Sequence, residues 1–226
     1  MEYPGFISDV ICRSKILMDI GHKKNLNVTS LLMLLCAGFV MPYERLKYWS
    51  DNDPGLKRSA THKKIKKLAE KIHLRDKAMA IPNPELSNFD IQNWKLYKDE
   101  VNDFNGLNFR HDILPRILDG SIKESAESSL ASVMRIMRNA FSHAGVHPIS
   151  PYQIDELASK NGLPRSRVQA SREIETIYLV SRTDAEKGFF VIKVPTLELE
   201  AFWNWWRELL LEDLGEDGIA ELDKAA

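Results

Sequence analysis

The chain has 226 residues, of which 44% are apolar and 28% charged, and its formal net charge is -1. This is the composition of an ordinary globular protein with one sizeable core, and the near-neutral charge excludes a global attraction to nucleic acid or to an anionic membrane. Two cysteines predict no disulfide framework, and no Cys/His spacing matches a zinc site. The first residues lack the basic start and apolar run of a signal peptide, so we expect a cytoplasmic protein with no membrane anchor. We also expect it to need no cofactor.

The N-terminal part of the chain predicts helices. Apolar residues at helical spacing predict a first helix over residues 5–20, and Thr29 or Ser30 is expected to cap a second helix that ends at Phe39, shortly before Pro42. The dense apolar run from Leu31 to Met41 is about half of a membrane span, which favours a buried core helix. Further along, we predict a helix within residues 85–104 and a short helix or irregular segment over residues 111–119.

A lysine-rich helix is predicted from Arg58 to His73, with a narrow apolar stripe. Two explanations fit this run of lysines equally well. The helix could be a solvated surface whose charge balances the acidic C-terminus, or it could contact a phosphate backbone. If the protein binds RNA, the candidate contacts on this helix are Lys63, Lys64, Lys67 and Lys71.

The C-terminal part mixes helix and strand. A helix is predicted from Ile122 to His143, because apolar residues recur there at steps of three and four, and Gly145 and Pro148 are expected to end it. Two β-branched and aromatic runs at about residues 174–194 predict a β-hairpin, after which Thr196 begins a Trp-rich helix. We therefore expect a mainly α protein, a helical bundle with a C-terminal hairpin. It should form a single domain over residues 1–211, followed by an acidic, flexible tail over residues 212–226.

Polar side chains with chemical potential cluster at the end of the helix predicted over Ile122–His143. Asn139 and His143 are four residues apart and share one face, with Arg138 on the adjacent face. Imidazole transfers protons near neutral pH, and a guanidinium binds phosphate and offsets negative charge on it. Together with the 2′-hydroxyl that RNA itself supplies, these groups are sufficient for RNA cleavage.

The string Arg138-Asn139-Ala140-Phe141-Ser142-His143, followed by Ala144 and Gly145, resembles the R-x(4–6)-H signature of the HEPN superfamily. The predicted helical bundle and the position of the string at a helix end are similar to that superfamily as well. The string covers six residues, and the predicted helical layout of residues 28–145 resembles that of the superfamily. The hairpin and the Trp-rich helix are additions to the minimal family domain.

The resemblance implies a prokaryotic, metal-independent endoribonuclease that leaves 2′,3′-cyclic phosphate ends, in a toxin–antitoxin, phage-defence or RNA-processing context. It implies that Arg138 and His143 are catalytic and that Asn139 assists them. It further implies a homodimer in which two copies of the string form a composite site, with RNA as substrate and, in the toxin context, an antitoxin protein as partner.

Two other functions fit the residues. A non-catalytic HEPN binding or scaffold protein would use Arg138 and His143 to bind nucleic acid or a nucleotide, or to stabilise a dimer interface. A helix-turn-helix over residues 152–171 would bind DNA, with Gly162 at the turn and Arg165 and Arg167 facing the duplex. Against the second, Pro164 falls close to the start of the predicted recognition helix.

Overall fold

The structure is a computed structural model, and it describes residues 6–24, 26–51, 60–69, 93–100, 107–125, 130–164, 170–182 and 188–224. The chain packs as two compact units, one formed by residues 1–89 with 200–226 and the other by residues 90–199. Two compact units can belong to one domain or to two, so the single domain over residues 1–211 stays a prediction.

The first unit is helical. Its elements are α1 (Phe6–Lys23), α2 (Asn27–Leu35), a π-helical segment (Cys36–Val40), α3 (Met41–Asp51), α4 (Ala60–Ala69) and the part of α8 (Thr196–Lys224) from residue 200 onward. The predicted first helix is confirmed. In α4 the predicted apolar stripe is buried at Ile65 and Leu68, while Lys63, Lys64 and Lys67 are exposed.

Aromatic rings hold the core of this unit around the π-helical segment. Phe39 makes edge contacts with Phe202 and Trp206, each at 5.3 Å between ring centroids. The indole N–H of Trp206 donates to the carbonyl of Gly38 at 2.9 Å. A π-turn interrupts the regular ladder of hydrogen bonds in a helix, which makes a carbonyl available to such a donor. A Cβ on Gly38 would lie 2.3 Å from the ring of Trp203, so this approach requires glycine.

The second unit is built on an antiparallel sheet of four strands in the order β1-β4-β3-β2. The strands are β1 (Lys95–Glu100), β2 (Val146–Ile149), β3 (Thr176–Arg182) and β4 (Gly188–Pro195), and the helices are α5 (Leu114–Leu118), α6 (Leu130–Ser142) and α7 (Pro151–Lys160). The predicted hairpin is confirmed as β3 and β4. It lies at the centre of the sheet, with β1 and β2 at its edges.

The sheet of the second unit is covered on two sides. α6 packs against β3 and β4 through its apolar stripe, in which Val133, Met134 and Met137 are buried. Alternate side chains of the strands, among them Tyr97, Tyr178 and Val191, form a second cluster with Phe109 and the residues of α5. Side chains of a strand alternate between its faces, which places these residues opposite those that meet α6.

The helix predicted within residues 85–104 is wrong in its described part, because residues 95–100 form the edge strand β1. Its lysines and acids are poor strand formers, but six residues pair in register with β4, from Lys95 opposite Lys193 to Glu100 opposite Gly188. Pairing along a whole strand supplies hydrogen bonds and packing that outweigh a weak local preference.

The helix predicted from Ile122 begins later, and its described part starts at Leu130. Residues 122–125 instead extend along β1. Ile122 is buried, Glu124 bridges to Tyr97, and the backbone N–H of Ser125 donates to the carbonyl of Leu96 at 2.7 Å. A local helical spacing of apolar residues cannot reveal this attachment, since it depends on a strand more than twenty residues earlier.

The second predicted helix does not stop before Pro42 but continues through the π-helical segment into α3. The stretch Asn27–Leu46 is consequently long and apolar enough, among the described residues, to cross a membrane by length and composition alone. The core helix of a soluble protein passes the same test. Leu31, Leu34, Leu35 and Phe39 are buried within the protein, and 39% of the most apolar part of this stretch is buried in all.

The Trp-rich helix α8 begins at Thr196 as predicted, and five of its apolar residues are buried: Leu199, Phe202, Trp203, Trp206 and Leu210. The helical stretch reaches Lys224 with a break at Gly215, and Leu214 and Ile219 are buried in the segment for which we predicted a flexible tail. Of the helix-turn-helix candidate, α7 is a helix, whereas Arg165 and Arg167 lie outside the described residues. DNA binding there stays a prediction.

Candidate active site

The C-terminus of α6 ends in a sharp, hydrogen-bonded turn. The N–H of Gly145 donates to the carbonyl of Ala140 at 2.8 Å, which is the long bond of a Schellman motif. Ala144 takes the left-handed conformation that this motif requires, with φ 56°, although it has a side chain. The N–H of Val180 then donates to the carbonyl of Gly145 at 2.7 Å. His143 therefore sits at a turn attached to both the helix and the sheet.

Arg138 and Asn139 lie on the last turns of the same helix and contact each other. The guanidinium of Arg138 donates to the side-chain oxygen of Asn139 at 2.7 Å. Both side chains are half-buried, whereas His143 is exposed. The bond occupies the amide oxygen of Asn139 and leaves its NH₂ group as the donor available to a ligand.

A cleft of about 920 Å³ opens beside this helix end, within the second unit. Asn139 and His143 line it, and Arg138 is not among the lining residues. The structure thus brings two of the three predicted catalytic residues to one cavity, while the third is not part of its lining and contacts Asn139. Of the described residues that line the cleft, none is Asp or Glu, while Arg110, Arg182, His143 and His147 are cationic or able to become so.

Arg110 reaches the cleft from a π-helical turn over Phe109–Ile113. Asn108 caps this turn, because its side-chain oxygen accepts the backbone N–H groups of Arg110 at 3.0 Å and His111 at 3.3 Å. The carboxylate of Asp112 accepts the N–H of Asn108 at 2.6 Å in return. Reciprocal capping of this kind holds the backbone in one conformation and so defines where the Arg110 side chain begins.

His147 enters the cleft from β2. Its ring stacks on Phe109 with 4.3 Å between centroids and an angle of 17° between the planes. Burial in this stack, with a smaller contribution from the positive charge of Arg110, lowers the pKa of His147 below its ordinary value of 6.5. The cleft consequently holds an imidazole that is neutral at pH 7, and His143, four positions earlier in the sequence, lines the same cleft.

The lowered pKa of His147 predicts a pH-dependent stability. Between the folded pKa and 6.5 the unfolded chain binds a proton that the folded chain does not, so the free energy of unfolding should fall as the pH drops below 6.5. His147→Phe keeps a ring against Phe109 and removes the titrating group. Urea unfolding at about pH 7.5 and about pH 5 should therefore show a smaller loss in the variant than in the wild type. An equal loss in both proteins would contradict the burial of a neutral imidazole.

The proposed RNA-binding lysines lie in the other unit. Lys63, Lys64 and Lys67 are exposed on α4, and Lys71 lies outside the described residues. Their role stays a prediction.

Sequence reasoning assigned no role to three basic residues of the cleft: Arg110, His147 and Arg182. Arg110 and Arg182 are far from the Arg138–His143 string in the sequence, while His147 lies four residues after it, where Pro148 leaves the direction of the chain open. The prediction that Gly145 ends the helix was the one signal that the chain turns back there, and it bears on His147 alone.

Among the described residues, no group of three or more His, Cys, Asp or Glu side chains is placed to hold a metal ion. The chemistry that the cleft itself offers is proton transfer by imidazole, hydrogen bonding by an amide and charge neutralisation by guanidinium.

Comparison with known proteins identifies the family. No curated protein and no solved structure matches the chain significantly. One family model, described as HEPN pEK499 p136, matches residues 1–216. That match includes the Arg138–His143 string, the residues of the cleft and the Trp-rich helix as far as residue 216. The chain therefore belongs to the HEPN pEK499 p136 family, as the resemblance of the string to the HEPN signature had predicted.

Proposed function

We propose that this protein is a metal-independent endoribonuclease that cuts RNA in the cleft at the end of α6. The observation that carries the proposal is that Asn139 and His143 line a cavity whose described lining has basic residues and no carboxylate. A cavity of this charge attracts a polyanion and would stabilise further negative charge on a phosphate.

In the proposed reaction the 2′-hydroxyl of the RNA attacks the adjacent phosphorus, the bond from phosphorus to the 5′-oxygen breaks, and a 2′,3′-cyclic phosphate and a 5′-hydroxyl form. His143 carries one of the two proton transfers, from the attacking hydroxyl or to the leaving oxygen, and water carries the other. The guanidinium of Arg138 does not line the cleft but donates to Asn139 at 2.7 Å, so it offsets the charge that develops on the phosphate through the Asn139 amide that it polarises. Asn139 donates from its amide to the substrate or to the imidazole.

The test is incubation of the full chain with single-stranded RNA in the presence of EDTA, with the ends of the products identified by mass spectrometry. Cleavage to 2′,3′-cyclic phosphate ends is expected, and the same RNA with 2′-O-methyl groups should stay intact because it lacks the nucleophile. Activity that EDTA abolishes would contradict the mechanism. RNA that binds but is not cut at any protein concentration would support the alternative, a non-catalytic nucleic-acid-binding or scaffold protein.

The proposal includes RNA contact by the exposed lysines of α4, which is supported by their exposure and charge alone. The homodimer, the antitoxin partner, and the toxin, defence or RNA-processing context rest on the resemblance.

A further inference from the structure

Two arginines converge on the cleft from elements that lie far apart in the sequence. Arg110 belongs to the π-helical turn after Asn108, and Arg182 ends β3. Both side chains are exposed, and both residues line the cavity that Asn139 and His143 line. Neither belongs to the Arg138–His143 string.

The fold specifies the backbone position of each arginine. The reciprocal contacts of Asn108 and Asp112 hold the turn that carries Arg110. Arg182 pairs with Phe189 of β4, and Ser181 beside it is buried and donates from its hydroxyl to the carbonyl of Arg182 at 3.1 Å. Because these backbone segments are already anchored, ligand binding has only the side chains to order, which lowers the entropic cost of binding.

The charge of the cavity selects the ligand. The carboxylate nearest to Arg110 in sequence, that of Asp112, accepts a hydrogen bond from the backbone N–H of Asn108, and Asp112 is not among the residues that line the cleft. The stacked pair of Phe109 and His147 forms part of the wall beside Arg110. Guanidinium groups bind phosphate oxygens in bidentate fashion, and an aromatic wall accommodates the sugar or base next to that phosphate.

We propose that Arg110 and Arg182 form a phosphate subsite that holds the backbone of single-stranded RNA beside His143. The identity of the ligand as RNA rests on the proposed function. The subsite itself rests on the cavity, and it lies entirely within one protomer. It assigns substrate binding to residues outside the Arg138–His143 string, which leaves His143 to act on a phosphate that is already held.

A probe that cannot be cleaved tests binding separately from catalysis. Fluorescein-labelled 2′-O-methyl RNA of eight nucleotides is titrated with the full chain, and anisotropy is read at several salt concentrations. For single strands, each lost phosphate contact reduces the slope of log affinity against log salt by about 0.7. Arg110→Ala and Arg182→Ala are each expected to weaken binding about 5- to 50-fold and to lower the slope by about one such step.

Arg172→Ala is the matched control. Arg172 lies in the same unit, is exposed and contacts the ring of Tyr152, and it is not among the residues that line the cleft. Its removal changes the net charge by the same amount, so the affinity of this variant should remain within about twofold of the wild type and its salt slope should not change. Thermal unfolding of all three variants checks that they are folded.

Each outcome decides the proposal. Probe binding by Arg110→Ala and Arg182→Ala that equals that of the wild type overturns the subsite, as does a wild type that does not bind the probe at low salt. An equal loss in Arg172→Ala also overturns it, because the effect would then be one of net charge. A wild type that binds the probe through Arg110 and Arg182 but cuts no RNA would keep the subsite and remove the ribonuclease. RNA cleavage by a protein whose cleavage rate and probe binding do not depend on these arginines would keep the ribonuclease and remove the subsite.

Discussion

Replacing His143 by alanine is expected to lower the rate of RNA cleavage by about 10²- to 10⁴-fold, the usual contribution of a positioned general acid or base. The imidazole is exposed at the end of α6 and lines the cleft, so the loss should come from chemistry rather than from folding. The rate is measured at saturating RNA with EDTA present, and the melting temperature of the variant should stay close to that of the wild type.

His111→Ala is the matched control for this measurement. His111 is an exposed histidine in the same unit, at the π-helical turn, but it is not among the residues that line the cleft. Its removal should leave the cleavage rate within about twofold, as expected for a surface substitution away from the site. Similar rates for wild type and His143→Ala, with His143→Ala folded, would show that the nuclease, if active, uses another group.

Replacing Gly145 by alanine is expected to destabilise the protein by about 3 kcal/mol or more, at the upper end of what overpacking costs. A Cβ at this position would lie 2.1 Å from the carbonyl oxygen of Val180. That atom is backbone of a central strand, and it cannot move without disturbing the pairing of β3 with its neighbours. The same shift would disturb the bonds of Gly145 to Ala140 and Val180. Urea unfolding followed by circular dichroism measures the loss.

The neighbouring substitution Ala144→Gly is the control, because it should not lower the free energy of unfolding. Ala144 has φ 56°, a conformation that costs a residue with a side chain about 1–2 kcal/mol and costs glycine nothing. Glycine also has more conformational freedom than alanine in the unfolded chain, and this lowers the free energy of unfolding of the variant by about 0.5–1 kcal/mol. The free energy of unfolding of this variant should therefore equal or slightly exceed that of the wild type. Gly145→Ala with wild-type stability would show that the turn does not pack against β3 as described.

Local patterns in the sequence predicted the parts of the protein whose structure depends on neighbours along the chain. The apolar stripe of α6 could be predicted from helical spacing alone, and the end of that helix from Gly145. The hairpin of β3 and β4 could be predicted from two apolar runs on either side of a polar turn. The Arg138–His143 string belongs to this group, since residues four apart on a helix share a face wherever the helix lies. The same string was sufficient to predict the family.

The tertiary structure decided what depends on pairing between distant segments. Residues 95–100 form a strand because they pair with the free edge of β4. The chain after Ile122 binds to that strand and is not part of α6, which was predicted to begin there. The cleft arose in the same way, because Arg110, His147 and Arg182 meet only when the π-helical turn, β2 and β3 pack together. A local pattern carries no information on such long-range contacts. The sequence by itself therefore determined the helix that presents His143, and only the packing of the sheet determined the cavity that His143 faces.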